Sequence, residues 1–120
     1  KEKVFLIQEF IKSSRGRDLR VFTIGHRAVA CVERIGPRGD FRANFSLGGS
    51  VKAYPMSAVI EELAIKTVRA LGLEIGGIDL LFEGDKFRVC EANFSPGFES
   101  IEKCFNLDIP EKIFNYIKDR

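Results

Sequence analysis

Short apolar runs, separated by glycines and polar residues, fill the N-terminal part of the chain, and such runs predict strands. Residues 4–11 (VFLIQEFI) are apolar on both faces and predict a buried strand. Residues 18–24 and 27–35 predict two more strands, separated by Gly25 and His26. A two-residue turn that begins with glycine is typical of a β-hairpin, so we expect these two strands to pair antiparallel.

The middle of the chain changes from strand-like to helical spacing. Residues 41–45 predict a short β-like segment, and residues 46–50 (SLGGS) predict a flexible loop. Apolar residues at intervals of three and four then predict a helix over residues 58–71. Ser57 is suited to the N-cap of this helix, and Gly72 is suited to its C-terminal end.

The C-terminal part predicts a second hairpin and two helices. Strand-like runs over residues 77–82 and 87–93 flank a short polar turn (EGDK). Residues 95–97 (SPG) predict the start of a short helix that runs to Phe105, and Asp108 is suited to cap a last helix with Pro110 in its first turn. The order of elements therefore favours an α+β fold, an antiparallel sheet with helices packed on one face.

Charge, hydropathy and composition exclude several classes of protein. Lys and Arg number 19 against 17 Asp and Glu, a net charge of +2 that argues against a nucleic-acid partner. No apolar run is long enough to cross a bilayer, so we expect no membrane partner. The three cysteines lack metal-site spacing and are typical of buried, reduced thiols in a cytoplasmic protein. A catalytic triad would need the sole histidine, His26, and a hairpin turn is a poor platform for one.

Side chains that carry oxygen on the second hairpin form the main candidate site. Aspartate is uncommon inside strands, yet Asp79 lies between Ile78 and Leu80. Glu91 and Asn93 are two residues apart on the next strand, so both point to the same face. Carboxylate and amide oxygens are ligands that suit Mg²⁺. Alternatively, Asp79 pairs with an arginine inside the sheet, and the spacing alone leaves both interpretations open.

The hairpin loop decides whether Asp79 and Glu91 share a face. A three-residue loop places the two carboxylates directly opposite each other. A two-residue turn at Gly84 and Asp85 places them on opposite faces, unless one strand contains a β-bulge. A shared metal ion therefore requires a three-residue loop or a bulge in this hairpin.

Short motifs along nearly the whole chain resemble those of RimK-type ATP-grasp ligases, and they occur in the same order. That family includes ribosomal-protein glutamate ligases and N-acetylaspartylglutamate synthetases. Two departures are Ala43, where the family usually has serine, and Phe94, where it has a small residue. The matching segments are QEFIK (8–12) and GRDLRVF (16–22), similar to QEFIK…GRDIRVFVVG; FRAN (41–44) and LGG (47–49), similar to FRSN…GG; GIDLL (77–81), similar to GVDLL; CEANFSPG (90–97), similar to EVNASPG; and IEK (101–103), similar to GIEK.

The resemblance implies an enzyme that joins a carboxylate to an amine with ATP, by way of an acylphosphate. The implied cofactors are ATP and Mg²⁺, as two ions that Mn²⁺ is able to replace. The implied substrates are a glutamate-like amino acid and a carboxylate acceptor, either a protein tail or a small peptide. The alternative is a non-catalytic nucleotide-binding module with the same fold. A homo-oligomer is one of the assembly states that the sequence leaves open.

The resemblance also implies that residues 1–120 are a single C-terminal ATP-grasp lobe. The chain begins at Lys1 rather than Met, in keeping with a piece of a longer protein. The N-terminal domain and the first ATP-grasp lobe are then absent from it. We expect this piece to be inactive by itself.

Particular residues take roles from the same resemblance. Glu9 and Phe10 match the hinge beside adenine, and Asp18 matches a position that contacts the nucleotide, by way of the ribose. The implied Mg²⁺ ligands are Asp79, Glu91 and Asn93. The implied contacts to the nucleotide, the γ-phosphate and the acylphosphate come from Arg42, Ala43 and Asn44, and Arg34 and Arg20 are further candidates for that anionic pocket. A guanidinium suits phosphate because its donors form a fixed fork.

Overall fold

The computed structural model describes residues 14, 16–36, 49–94 and 96–120, and within them the chain forms a five-stranded antiparallel sheet and three helices. The strands are β1 (Arg17–Ile24), β2 (Arg27–Ile35), β3 (Ser50–Ala53), β4 (Ile75–Glu83) and β5 (Lys86–Asn93), and the helices are α1 (Ala58–Leu71), α2 (Glu99–Phe105) and α3 (Ile109–Asp119). The strand order is β3-β2-β1-β4-β5, so β1 lies at the centre of these strands. The predicted strands at residues 4–11 and 41–45 lie outside the described residues.

Both hairpins and α1 form where the sequence predicts them. The β1–β2 turn places Gly25 at a φ of 61°, a conformation that glycine adopts at little cost. Ser57 caps α1, because its side chain accepts a hydrogen bond from the backbone N–H of Ile60. Gly72 ends the helix in the left-handed conformation at a φ of 68°. Local sequence signals therefore fix the ends of these elements.

The helices cover both faces of the sheet, which corrects the prediction that they pack on one face. The side chains of Val21 and Phe22, neighbours on β1, point to opposite faces. Val21 belongs to an apolar cluster that includes Ala64 of α1. Phe22 belongs to a second cluster that includes Ile101 of α2 and Ile109 of α3. The antiparallel α+β class itself is confirmed.

Two elements differ from the sequence prediction. Strand β3 pairs with β2 although the sequence predicts a loop up to Ser50 and no strand after it. Helix α2 begins at Glu99, with Phe98 as its N-cap residue, rather than at the SPG motif (95–97). Both elements are short, and the pairing of β3 depends on a neighbouring strand rather than on its own sequence.

The cysteines do not share one environment. All three are free, but Cys31 is buried, Cys104 is half-buried and Cys90 is exposed. The prediction of buried thiols therefore holds for Cys31 and is wrong for Cys90. Burial raises the pKa of the Cys31 thiol to about 12. No helix in the described part of the chain is long and apolar enough to cross a membrane.

Candidate metal and phosphate site

A β-bulge in the β4–β5 hairpin brings Asp79 opposite Glu91. The turn has two residues, but the register shifts between Asp79 and Leu80, where Cys90 is an extra residue on β5. Asp79 and Glu91 are therefore directly opposed on one face, and Asn93 lies two residues further along β5 on the same side. The geometric condition that the sequence sets for a shared ion is met in this hairpin.

A second bulge, in the β1–β2 hairpin, brings Arg34 opposite Asp18. Val29 is the extra residue on β2, between the turn and these two side chains. On the other side of β1, Arg20 lies opposite Asp79. Each hairpin thus combines a two-residue turn with one bulge, and the bulges place Arg34 and Glu91 on the face that holds Asp18, Arg20 and Asp79.

The four charged side chains form a continuous network of ion pairs centred on Asp79. The guanidinium of Arg20 donates to Oδ1 of Asp79 at 2.7 Å and to Oδ2 at 3.0 Å. Arg34 donates to Oδ2 of Asp79 at 3.0 Å and to the two oxygens of Asp18 at 2.8 and 2.6 Å. Asp79 is 4% exposed and Asp18 is 8% exposed. Pairing of Asp79 with arginines inside the sheet is therefore confirmed, together with its register opposite Glu91.

Burial and pairing set the charges of this network. Burial raises the pKa of Asp18, and the hydrogen bond and charge of Arg34 oppose that shift only in part. Burial lowers the pKa of Arg34, but the hydrogen bonds and charges of Asp18 and Asp79 outweigh this effect and leave the pKa raised. Arg34 stays cationic, and two arginines face two aspartates, so the network is close to neutral when both acids are ionised.

The two arginines line a cavity of about 360 Å³ beside the start of α2, together with Val32 and residues 97–101. Gly77 on β4 has no side chain and so leaves room for the chain that precedes α2. A Cβ built at Gly77 would lie 2.7 Å from Cβ of Pro96. Glycine is therefore required for Pro96 to approach the sheet this closely. The cavity thus lies between the two arginines of the sheet and the residues before and at the start of α2.

The donors on this face suit a hard divalent cation that carries ligands of its own. Asp79 and Glu91 supply carboxylate oxygens and Asn93 an amide oxygen, which is the donor type that Mg²⁺ combines with phosphate oxygens and water. Within the described residues, no group of three or more His, Cys, Asp and Glu could hold a metal ion. A site here therefore depends on the amide of Asn93 and on oxygens from a ligand, so the residues fit a metal–phosphate complex.

The structure brings part of the predicted site together. Asp18, Arg20, Arg34 and Asp79 are in direct contact, and Glu91 and Asn93 share the face of Asp79. Asp18 is held by Arg34, and its predicted ribose contact is a role that the structure leaves untested. The predicted positions that lie outside the described residues are Glu9, Phe10, Arg42, Ala43 and Asn44.

Reasoning from the sequence misses two features of the site. It does not pair Asp18 with Arg34, because a regular register from the turn at Gly25 and His26 would put Arg34 on the other face. It also gives no role to residues 98–101, which line the cavity. Counting residues from the turn at Gly25 and His26 shows that Asp18 and Arg34 share a face only if a strand contains a bulge, and opposite charges near the ends of paired strands favour a shared face.

With this geometry in place, comparison with known proteins defines the family. The RimK-like ATP-grasp domain matches residues 1–117, so the chain belongs to the RimK-like ATP-grasp family. A probable alpha-L-glutamate ligase of Shewanella baltica is 40% identical over 113 residues, which are 94% of this chain and 38% of that protein. The chain thus spans well under half the length of this curated relative.

Solved structures of ATP-grasp ligases share the fold. PsnB, in complex with a phosphomimetic variant of a minimal precursor, Mg and ADP, aligns with a TM-score of 0.68 at 21% identity, over 87% of this chain and 32% of that one. A RiPP-associated ATP-grasp ligase of Chryseobacterium gregarium, in complex with ADP and a leader and core peptide, aligns with a TM-score of 0.68 at 18% identity, over 90% of this chain and 34% of that one.

Proposed function

We propose that this chain is the C-terminal lobe of an ATP-dependent ligase that joins a carboxylate to an amine through an acylphosphate. The observation that carries the proposal is the face shared by Asp79, Glu91 and Asn93, next to two arginines that line a cavity. Oxygen donors for a cation beside guanidinium donors for an anion are what transfer of a phosphoryl group requires. Membership of the RimK-like ATP-grasp family supports the same reaction.

The residues of this chain act by positioning and by charge. Asp79, Glu91 and Asn93 would hold Mg²⁺, which when bound neutralises charge on the phosphates. Arg20 and Arg34 would face the transferred phosphate and the acylphosphate from the cavity, with forked donors that match phosphate oxygens. Two bound ions, and replacement of Mg²⁺ by Mn²⁺, are part of the proposal.

Asp18 holds Arg34 by two hydrogen bonds in the present arrangement. Its proposed contact with the ribose therefore requires the pair to loosen when the nucleotide binds. The remaining proposed roles fall on Glu9 and Phe10 beside adenine and on Arg42, Ala43 and Asn44 at the phosphates. The adenine side and the phosphate side would in this way come from different parts of the chain.

Glutamate is the amino acid that we propose is joined. The Shewanella relative bears the name probable alpha-L-glutamate ligase, and the structural neighbours were solved with precursor, leader or core peptides. We therefore propose a peptide or a protein tail as the carboxylate acceptor. We also propose a cytoplasmic location, where ATP is available, and a homo-oligomer is the assembly state to test.

The decisive experiment is an assay of the full-length protein that contains this chain, with ATP, Mg²⁺, glutamate and acidic peptides. We expect phosphate release that depends on the peptide and addition of a glutamyl residue, detected by mass spectrometry. Asp79→Asn should lower turnover by about a hundredfold or more, because a metal ligand is lost. Glu83→Gln is the matched control, since Glu83 pairs with Arg88 at the exposed hairpin end and should leave turnover unchanged.

Two outcomes would contradict this proposal. Nucleotide binding without turnover would favour the alternative of a non-catalytic nucleotide-binding module. Full turnover by Asp79→Asn would contradict a metal role for Asp79. The 120-residue chain alone is the negative control and should release no phosphate, because the first ATP-grasp lobe is proposed to lie outside it.

A further inference from the structure

The carboxylate of Asp79 has little capacity left for a metal ion. A carboxylate offers roughly four lone-pair positions, and three of those of Asp79 accept hydrogen bonds from guanidinium groups. The side chain is 5% exposed, so water does not compete strongly with these bonds. A proposed metal ligand is thus largely occupied by two arginines.

The charges around Asp79 also oppose a bare cation. An ion bound to Asp79 would lie close to the guanidiniums of Arg20 and Arg34, which are 17% and 12% exposed. Repulsion between such charges is strong at partly buried positions, because the effective dielectric constant there is much lower than in water. A cation alone would therefore lose much of its attraction to Asp79.

An anion that enters the cavity also meets balanced charges. Arg20 and Arg34 line the cavity, but their charges are balanced by Asp18 and Asp79, and Glu99 is also part of the wall. A phosphate entering alone would meet a neutral cluster and an additional carboxylate. A cation on Asp79 would remove that balance and leave Arg20 available to the phosphate.

Arg20 is better placed than Arg34 to move. Within the described residues, both side-chain hydrogen bonds of Arg20 go to Asp79. Arg34 keeps two bonds to Asp18 when it leaves Asp79. Arg20 therefore depends on one partner, and a cation that takes over that partner frees its guanidinium beside the cavity.

We propose that Arg20 controls access to the metal site, so that a divalent cation at Asp79 and a phosphate at Arg20 bind cooperatively and each binds weakly alone. This inference rests on the proposed function, and in it the release of Arg20 from Asp79 accompanies metal binding. Because coupling between two ligands is reciprocal, phosphate must strengthen cation binding by the same factor as the cation strengthens phosphate binding.

The test measures binding of Mn²⁺ to the full-length protein without nucleotide, from the electron paramagnetic resonance signal of the free ion. We expect Arg20→Gln to bind Mn²⁺ about tenfold or more tightly than the unsubstituted protein, because one repelling charge and two competing donors are removed. Arg120→Gln is the control. It removes one arginine from an exposed pair with Glu74 and should change Mn²⁺ affinity less than about twofold.

Inorganic phosphate tests the coupling itself. Phosphate should tighten Mn²⁺ binding about fivefold or more in the unsubstituted protein, after correction for binding of the two ions to each other. In Arg20→Gln the same addition should have little effect. Equal enhancement by phosphate in the two proteins would overturn the proposed coupling.

A further pair of variants keeps the result decisive. If Arg20→Gln fails to fold, Arg20→Lys replaces it, because lysine keeps the charge but cannot occupy both oxygens with a fork. Arg20→Lys should bind Mn²⁺ more tightly than the unsubstituted protein and more weakly than Arg20→Gln. Adding Asp79→Asn to either variant should abolish the gain.

Two results would overturn the proposal and leave the proposed function intact. The first is an Mn²⁺ affinity that Arg20→Gln and Arg20→Lys do not raise, and the second is a gain that persists with Asp79→Asn. Failure of the proposed function gives a different pattern, in which Mn²⁺ binding responds to Arg20 as expected but no ligation occurs with any peptide.

Discussion

Helix α1 covers a largely apolar surface on one face of the sheet, which also carries the ion pair of Arg17 and Glu33, whereas the other face combines an apolar cluster with the buried ion-pair network of Asp79. The α1 face contains Leu19, Val21 and Leu80, all without exposed area. On the opposite face, Phe22 packs under α2 and α3, but Arg20, two residues earlier on β1, belongs to the ion-pair network. The border between core and candidate site thus runs across single strands rather than between elements.

Stability and binding chemistry therefore depend on different parts of one sheet, the apolar cluster under α1 and the ion-pair network. Burial of apolar surface stabilises the α1 face in proportion to its area. A buried network of ion pairs contributes much less net stability, because desolvation of the charges offsets most of their attraction. The ion-pair network therefore adds little to stability, which agrees with a role in binding. Three substitutions test this separation.

The largest expected effect is loss of stability from Leu80→Ala on the α1 face. Leu80 is fully buried in the apolar cluster, so its truncation removes buried surface and leaves a cavity. We expect a loss of about 3 kcal/mol in the free energy of unfolding, measured by urea denaturation. Leu71→Ala is the control, because Leu71 is 57% exposed and its truncation should cost far less.

The same variant also tests independence of the two faces. Leu80 follows Asp79 directly on β4 but points to the opposite side of the sheet. Folded Leu80→Ala should therefore bind Mn²⁺ as the unsubstituted protein does. A large change in Mn²⁺ affinity would contradict the separation of stability from binding.

The apolar spacing predicts much of the α1 face but little of the charged one. The bounds of α1, its caps and the two hairpins follow from local signals, such as Ser57, Gly72 and the glycine at each turn. The bulges at Val29 and Cys90 have no such signal, because an extra residue in a strand depends on how two strands meet. In the second hairpin, the number of loop residues leaves a bulge as one of two ways to bring the carboxylates together.

The first hairpin shows why the rest of the site was not predictable from spacing. Without the bulge at Val29, Arg34 would lie on the same face as the α1 cluster, and Asp18 would lie opposite Glu33 instead. One extra residue therefore determines which charges meet. The covering of the second face by α2 and α3 is likewise decided by tertiary packing, which short helices do not encode by themselves.

An intermediate loss of stability is expected from Gly77→Ala, on the face of the sheet that holds the ion-pair network. The added methyl group would lie 2.7 Å from Cβ of Pro96, so the chain before α2 has to shift. We expect a loss of about 1–3 kcal/mol in the free energy of unfolding, typical of overpacking. Because the shift moves one wall of the cavity, phosphate binding in the presence of Mn²⁺ should also weaken.

Gly97→Ala is the matched control for this effect. A Cβ built at Gly97 meets nothing within 4 Å, so this substitution should change stability by less than about 0.5 kcal/mol. If both alanine variants behave alike, contact with Pro96 does not explain the glycine at position 77. If Gly77→Ala loses stability but keeps phosphate binding, the wall before α2 does not contribute to the site.

The smallest expected effect is loss of the N-cap of α1. Ser57→Ala removes the hydrogen bond that its side chain accepts at 3.2 Å from the N–H of Ile60. We expect a decrease of about 1 kcal/mol in the free energy of unfolding, and of only a few tenths for Ser57→Gly. Mn²⁺ affinity should stay the same in both variants, since α1 covers the other face. A parallel loss of Mn²⁺ affinity would show that α1 supports the charged face through the sheet.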